Sequence, residues 1–89
     1  MAVPAGSQPK PGPLARAISA QFRSLMAEQQ PRMTARALAE KSGLSRSYLG
    51  KRLRDEAALT SNDIEALCAA LDIDIRTFAK LAVRRMERP

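Results

Sequence analysis

Two helical runs meet at Gly43 with only three or four residues between them, and no other feature restricts this chain's fold as much. The first run, TARALAEKSG, opens on Thr34, a residue whose side-chain oxygen caps helix N-termini well. Ala35, Leu38 and Ala39 fall on its inner face at helical spacing. Gly43 stands where a helix needs a left-handed residue to stop. Leu44 follows, and then Ser45, a second N-cap. The second run, about 46 to 54, turns Leu49 and Leu53 inward and carries Arg46, Lys51 and Arg52 on its other side. A solvated helix has this pattern, and so does a helix built to lie in a groove of DNA. So tight a connection between two helices marks a helix-turn-helix.

The remaining pattern is helical too. Leu14, Ile18, Phe22, Leu25 and Met26 predict a first helix over about 14 to 29, with Pro13 suited to its first turn and Pro31 ending it. Thr60 or Ser61 opens a fourth helix with Ile64, Leu67, Cys68 and Leu71 on one stripe. A fifth begins near Asp74 or Ile75, with Ile75, Phe78, Ala79 and Ala82 expected inward. Asp at its start and Arg84, Arg85 and Arg88 at its end suit the helix dipole. No strand alternation or internal repeat is visible. The expected fold is all-α, a compact five-helix domain over 14–89. Residues 1–13 hold four of the six prolines, and are expected to form a flexible arm, either a plain tail or one that touches DNA, helped by Lys10 and Arg16.

Composition narrows the functions available. Eighty-nine residues make one domain, with little room for a deep catalytic cleft beside a core. Phe22, Tyr48 and Phe78 are the only aromatics, so the core must be mostly aliphatic. The net charge of +6 favours an anionic partner, above all nucleic acid. Six of the nine acidic residues lie between Asp55 and Asp74 with no Lys or Arg among them, which suggests a positive face with a negative back. There is no histidine, so neither a Cys/His zinc site nor histidine acid–base catalysis is available. No clustered carboxylates replace it, and no enzyme activity, cofactor or metal is expected. The lone Cys68, on an apolar stripe, reads as a small core residue rather than a redox sensor. The start, MAVPAGSQPKPGP, lacks the apolar stretch of a signal peptide, and no run is long enough to span a bilayer. A soluble, cytoplasmic protein is expected.

MTARALAEKSGLSRSYLGKRL resembles the helix-turn-helix of the lambda-repressor and Cro-like family, with Leu38, Ala39, Gly43, Leu44, Ser45 and Leu49 at the matching positions. NDIEALCAALDIDIRTFAKL resembles that family's next helix and the start of its last, through Ile64, Leu67, Leu71, Ile73 and Phe78. Three positions depart from the pattern. Ala35, with Arg36 beside it, stands where the family often has a phosphate-holding Gln. Arg52 stands where many members are apolar, and Asp55 replaces a common Gly.

The resemblance implies that the helix after Ser45 enters the major groove of double-stranded DNA. Arg46, Ser47 and Lys51 are then the candidate base readers, Arg46 first because its planar fork can bond guanine O6 and N7 together. Gly50 would allow close approach to the DNA. Thr34, Arg36, Ser45, Tyr48, Arg52 and Arg54 are candidate phosphate contacts, through side chains or helix N-termini. Tyr48 either serves there or packs its ring against the preceding helix. Arg76, Lys80, Arg84 and Arg88 form a basic row, expected to be solvated.

The implied function is a sequence-specific transcriptional regulator, most like a phage repressor or Cro protein occupying an operator. The alternative is an antitoxin-like module that binds a partner protein as well as DNA. Leu81, Val83 and Met86, more apolar than a solvated helix end requires, suggest a weak homodimer formed on DNA, unless Leu81 and Met86 fold back onto the first helix.

Overall fold

Each helix starts and stops where its local chemistry requires. The computed structural model describes residues 9–87. Within them α1 spans Pro13–Glu28, α2 Ala35–Ser42, α3 Arg46–Leu53, α4 Ser61–Ala70 and α5 Ile75–Glu87, and no strand occurs among the described residues. Residues 1–8 of the expected arm, and Arg88 of the basic row, lie outside them. Pro13 occupies the first turn of α1, where its missing N–H costs nothing. Thr34, Ser45 and Thr60 cap α2, α3 and α4, their hydroxyl oxygens accepting from the backbone N–H of Ala37, Tyr48 and Asp63, each at 3.1 Å. The Asp74 carboxylate accepts from the N–H groups of Arg76 and Thr77 at 2.9 and 3.2 Å and opens α5.

Three helices end on a left-handed residue. Gly43 closes α2 at φ 79°, as its position in the turn requires. Asp55 and Asp72 do the same for α3 and α4 at φ 62° and 54°. In both, the next N–H reaches back five residues: Glu56 to the Lys51 carbonyl and Ile73 to that of Cys68, each at 3.0 Å. Asp is among the few non-glycine residues that tolerate this conformation. Its presence at position 55 therefore leaves the helix exit intact where a glycine is common.

One core joins all five helices. Phe22 of α1 stacks on Phe78 of α5, ring centroids 4.2 Å apart. Leu38, Leu49 and Leu67 bring α2, α3 and α4 onto that pair, and all five side chains are essentially fully buried. Ala39, also buried, lets α2 and α3 approach closely. Cys68 is buried in the same cluster.

The fifth helix departs from expectation. Phe78 and Ala82 face inward, but Ile75 is 44% exposed and Ala79 is exposed as well. α5 lies along α1, and the Nε of Arg85 donates to the buried Gln21 Oε1 at 2.6 Å. With Phe78, Ala82 and Arg85 directed this way, Ile75, Ala79, Val83 and Met86 form an outer stripe instead. Leu81, half-buried on the opposite flank, borders a recess with Gln21, Ser24 and Glu28.

Candidate nucleic-acid interface

The exposed face of α3 is held in place from behind by two polar clusters. The first begins with the capping box of α4. The Thr60 hydroxyl accepts from the Asp63 N–H, and Asp63 Oδ2 accepts in return from the Thr60 N–H at 3.0 Å. The same Oδ2 accepts from the Tyr48 hydroxyl at 2.7 Å. The Arg52 guanidinium lies 3.5 Å above the centre of the Tyr48 ring, and its Nε sits 3.9 Å from Asp63 Oδ2. The Arg52 side chain is only 12% exposed and that of Asp63 only 8%. Such a pair is costly to bury and costlier to break, because either charge left alone has no solvent to fall back on. The hydrogen bond to Asp63 holds the Tyr48 phenol above its ordinary pKa, and burial adds to this.

The second cluster anchors the end of α3 to α1. Arg23 Nη1 donates to the Leu53 carbonyl at 2.6 Å, satisfying a helix-end acceptor that has no partner within the helix. The same guanidinium lies 3.7 Å from Asp55 Oδ2, and the buried Ser19 hydroxyl hydrogen-bonds the other oxygen of that carboxylate. Asp55, Glu56 and Asp63 therefore pair with arginines around α3. The expected negative back is not separate: Asp55 and Asp63 of the acidic block serve to anchor the basic helix.

Between these anchors, Arg46, Ser47 and Lys51 project from α3 into solvent. Among the described residues, neither Arg46 nor Lys51 has an acidic partner. Ser45 and Thr34 are exposed, and each hydroxyl, having accepted a capping N–H, keeps its own proton for another acceptor. Arg36 is exposed at the start of α2, with Glu40 3.6 Å away. Arg54 is exposed and donates from Nε to Glu56 Oε2 at 2.6 Å. Two of the expected phosphate contacts are placed otherwise. The Tyr48 hydroxyl is engaged by Asp63 of α4, and Arg52, its side chain 12% exposed, lies against the same ring and carboxylate.

Asp63 is the residue that sequence reasoning passed over. Its one local signal is the Thr60–Asp63 spacing of a capping box; its bond to Tyr48 joins helices fifteen residues apart. Cys68 is held protonated: burial, and then the nearby Asp74 carboxylate, push its thiol up to about 11. Among the described residues no group of three or more His, Cys, Asp or Glu is placed to hold a metal ion, and no helix is long and apolar enough to cross a membrane.

A family model described as Helix-turn-helix matches residues 29–78. Among solved structures, the clp gene regulator ClgR from Corynebacterium glutamicum is similar at 30% identity, covering 89% of this chain and 81% of that one, with a TM-score of 0.74. A mutant of the restriction-modification controller protein C.Esp1396I shares 25% identity over 84% of this chain and 97% of that one, with a TM-score of 0.75. The restriction-modification controller protein C.AhdI from Aeromonas hydrophila shares 31% over 73% and 94%, with a TM-score of 0.62. No curated protein matches the sequence.

Proposed function

The chain belongs to the helix-turn-helix family, and from that premise we propose that it is a transcriptional regulator that binds double-stranded DNA sequence-specifically. The observation that carries this reading is the outer face of α3, where unpaired Arg46 and Lys51 flank Ser47 on a helix anchored at both ends. A helix fixed in this way can present a fork of donors to guanine in the major groove without losing further backbone freedom. Thr34, Arg36 and Ser45, at the exposed starts of α2 and α3, are the phosphate contacts that set its register. Arg52 and Tyr48 leave that group, because Asp63 already engages them. Their role is to set the angle of α3. Occupancy of an operator, as by a phage repressor or Cro protein, is the mode of action this arrangement suits. The similarity to ClgR and to the controller proteins supports the broader role of a gene regulator.

Two copies act together in this proposal. Ile75, Ala79, Val83 and Met86 form an apolar stripe on α5, and Arg76, Lys80 and Arg84 run beside it. A second copy packed antiparallel on this stripe would bring Asp74 at one helix start near Arg84 at the other's end. The two recognition helices would then address half-sites about one turn of DNA apart. The same stripe would seat a foreign protein in the antitoxin-like alternative. Light scattering of the purified protein, alone and on a two-half-site duplex, separates them: a mass of two chains on DNA supports the dimer, and one chain on the duplex refutes it.

The test of the DNA reading is Arg46→Ala. Its affinity for the preferred duplex should fall by about 1–3 kcal/mol, the worth of a good bidentate base contact, while affinity for random duplex falls much less. Equal losses on both would reduce Arg46 to a phosphate contact.

A further inference from the structure

We infer that Arg54 is a base reader rather than a backbone contact, and that Gly50 is the residue that lets it read. The inference rests on the DNA-binding reading above. Arg46 and Gly50 of α3 and Arg54, the residue that caps its C-terminal end, follow one another at intervals of four. Side chains on a helix lean toward its N-terminus. Arg54 follows that rule: its guanidinium lies back over Gly50, so that a Cβ built on Gly50 would sit 3.1 Å from Arg54 Nη1 and 3.9 Å from its Cζ. The charged head therefore lies about one helical turn nearer the groove-entering end than the Arg54 backbone does. It lies against the place a larger residue at position 50 would take, behind Arg46.

The bonding of Arg54 fits this role. Glu56 Oε2 accepts from Nε at 2.6 Å on the surface, which orients the fork and leaves both terminal nitrogens to bond guanine O6 and N7. A phosphate contact gains chiefly from charge, which a lysine would supply as well. A base reader gains from an oriented fork, and that is what Glu56 supplies. Gly50 weakens the middle of α3, since glycine is among the poorest helix formers. The Arg54 guanidinium lies against the space a side chain there would enter, and would have to shift to admit one.

The experiment is selection of bound duplexes from random DNA by the full chain and by its Gly50→Ala, Arg54→Ala and Arg54→Lys variants, followed by affinity and salt titrations on the selected site. Arg54→Ala should lose preference at one base pair, with affinity for the selected site falling about ten- to a hundredfold and random binding changing little. Arg54→Lys should lose the same preference while keeping the wild-type salt slope, because it keeps the charge without the fork. Gly50→Ala should melt higher than the wild type, which shows that it folds, and should weaken preference at that same base pair by displacing Arg54. Equal losses for Arg54→Ala on selected and random DNA overturn the inference, as does an unchanged preference in Gly50→Ala. A wild-type chain that selects no sequence at all overturns the DNA-binding reading itself.

Discussion

Asp63 is the residue on which the position of α3 depends most. One carboxylate caps α4, accepts the Tyr48 hydroxyl and faces the nearly buried Arg52. Asp63→Ala should therefore cost about 3 kcal/mol or more in chemical denaturation, since it leaves the Arg52 charge without its counter-ion. Tyr48→Phe, which removes one hydrogen bond and keeps the ring under Arg52, should cost only about 1–2 kcal/mol. A smaller loss in Asp63→Ala than in Tyr48→Phe would show that Asp63 does not organise the cluster. Cys68 gives a pH dependence of definite sign. Its thiol titrates near 9 when unfolded and at about 11 when folded, so the folded state holds the proton over that interval. Stability should fall as pH rises from about 9 to 11, and Cys68→Ala should flatten this part of the curve in denaturation at each pH.

At the scale of the element, helix starts and the tight turn were readable and helix partners were not. Thr34, Gly43 and Ser45 act on backbone within a few residues of themselves, so their spacing alone locates α2 and α3. Leu38, and Leu49 with Leu53, were legible because they are the large apolar groups on the inner faces of α2 and α3. Ile75 and Ala79 were misplaced because α5 has an apolar arc wide enough to face inward along either edge. The contacts Phe22–Phe78 and Gln21–Arg85, each between residues far apart in sequence, accompany the edge observed. The pairings Tyr48–Asp63 and Ser19–Asp55 were likewise invisible to any local pattern. The two left-handed aspartates give a contrast that tests this account of the helix ends. Asp72 is exposed at the C-terminus of α4, where its charge opposes the helix dipole, and Asp72→Gly should raise stability by up to about 1 kcal/mol. Asp55→Gly relieves the same backbone strain but removes the hydrogen bond to Ser19 and the counter-ion of Arg23, so thermal melting should show no gain or a loss.

For the whole molecule, the distribution of charge matters more than its sum. The net +6 is concentrated by pairing: Asp55 and Asp63 engage the arginines that hold α3, Glu56 engages Arg54, and Arg46 and Lys51 are left free on the outer face of the helix. Such a surface should bind any duplex weakly through its phosphates and one sequence strongly through base edges. With roughly five to seven phosphates contacted per bound unit, log K should fall with log salt at a slope of about −5 to −6. The most direct measurement is fluorescence anisotropy of the purified chain on its selected duplex and on a random one, both titrated with salt. The account predicts that slope on the two duplexes alike, and an affinity for the selected site at least about a thousandfold higher at moderate salt. Equal affinity for the two, or a slope near zero, would contradict it.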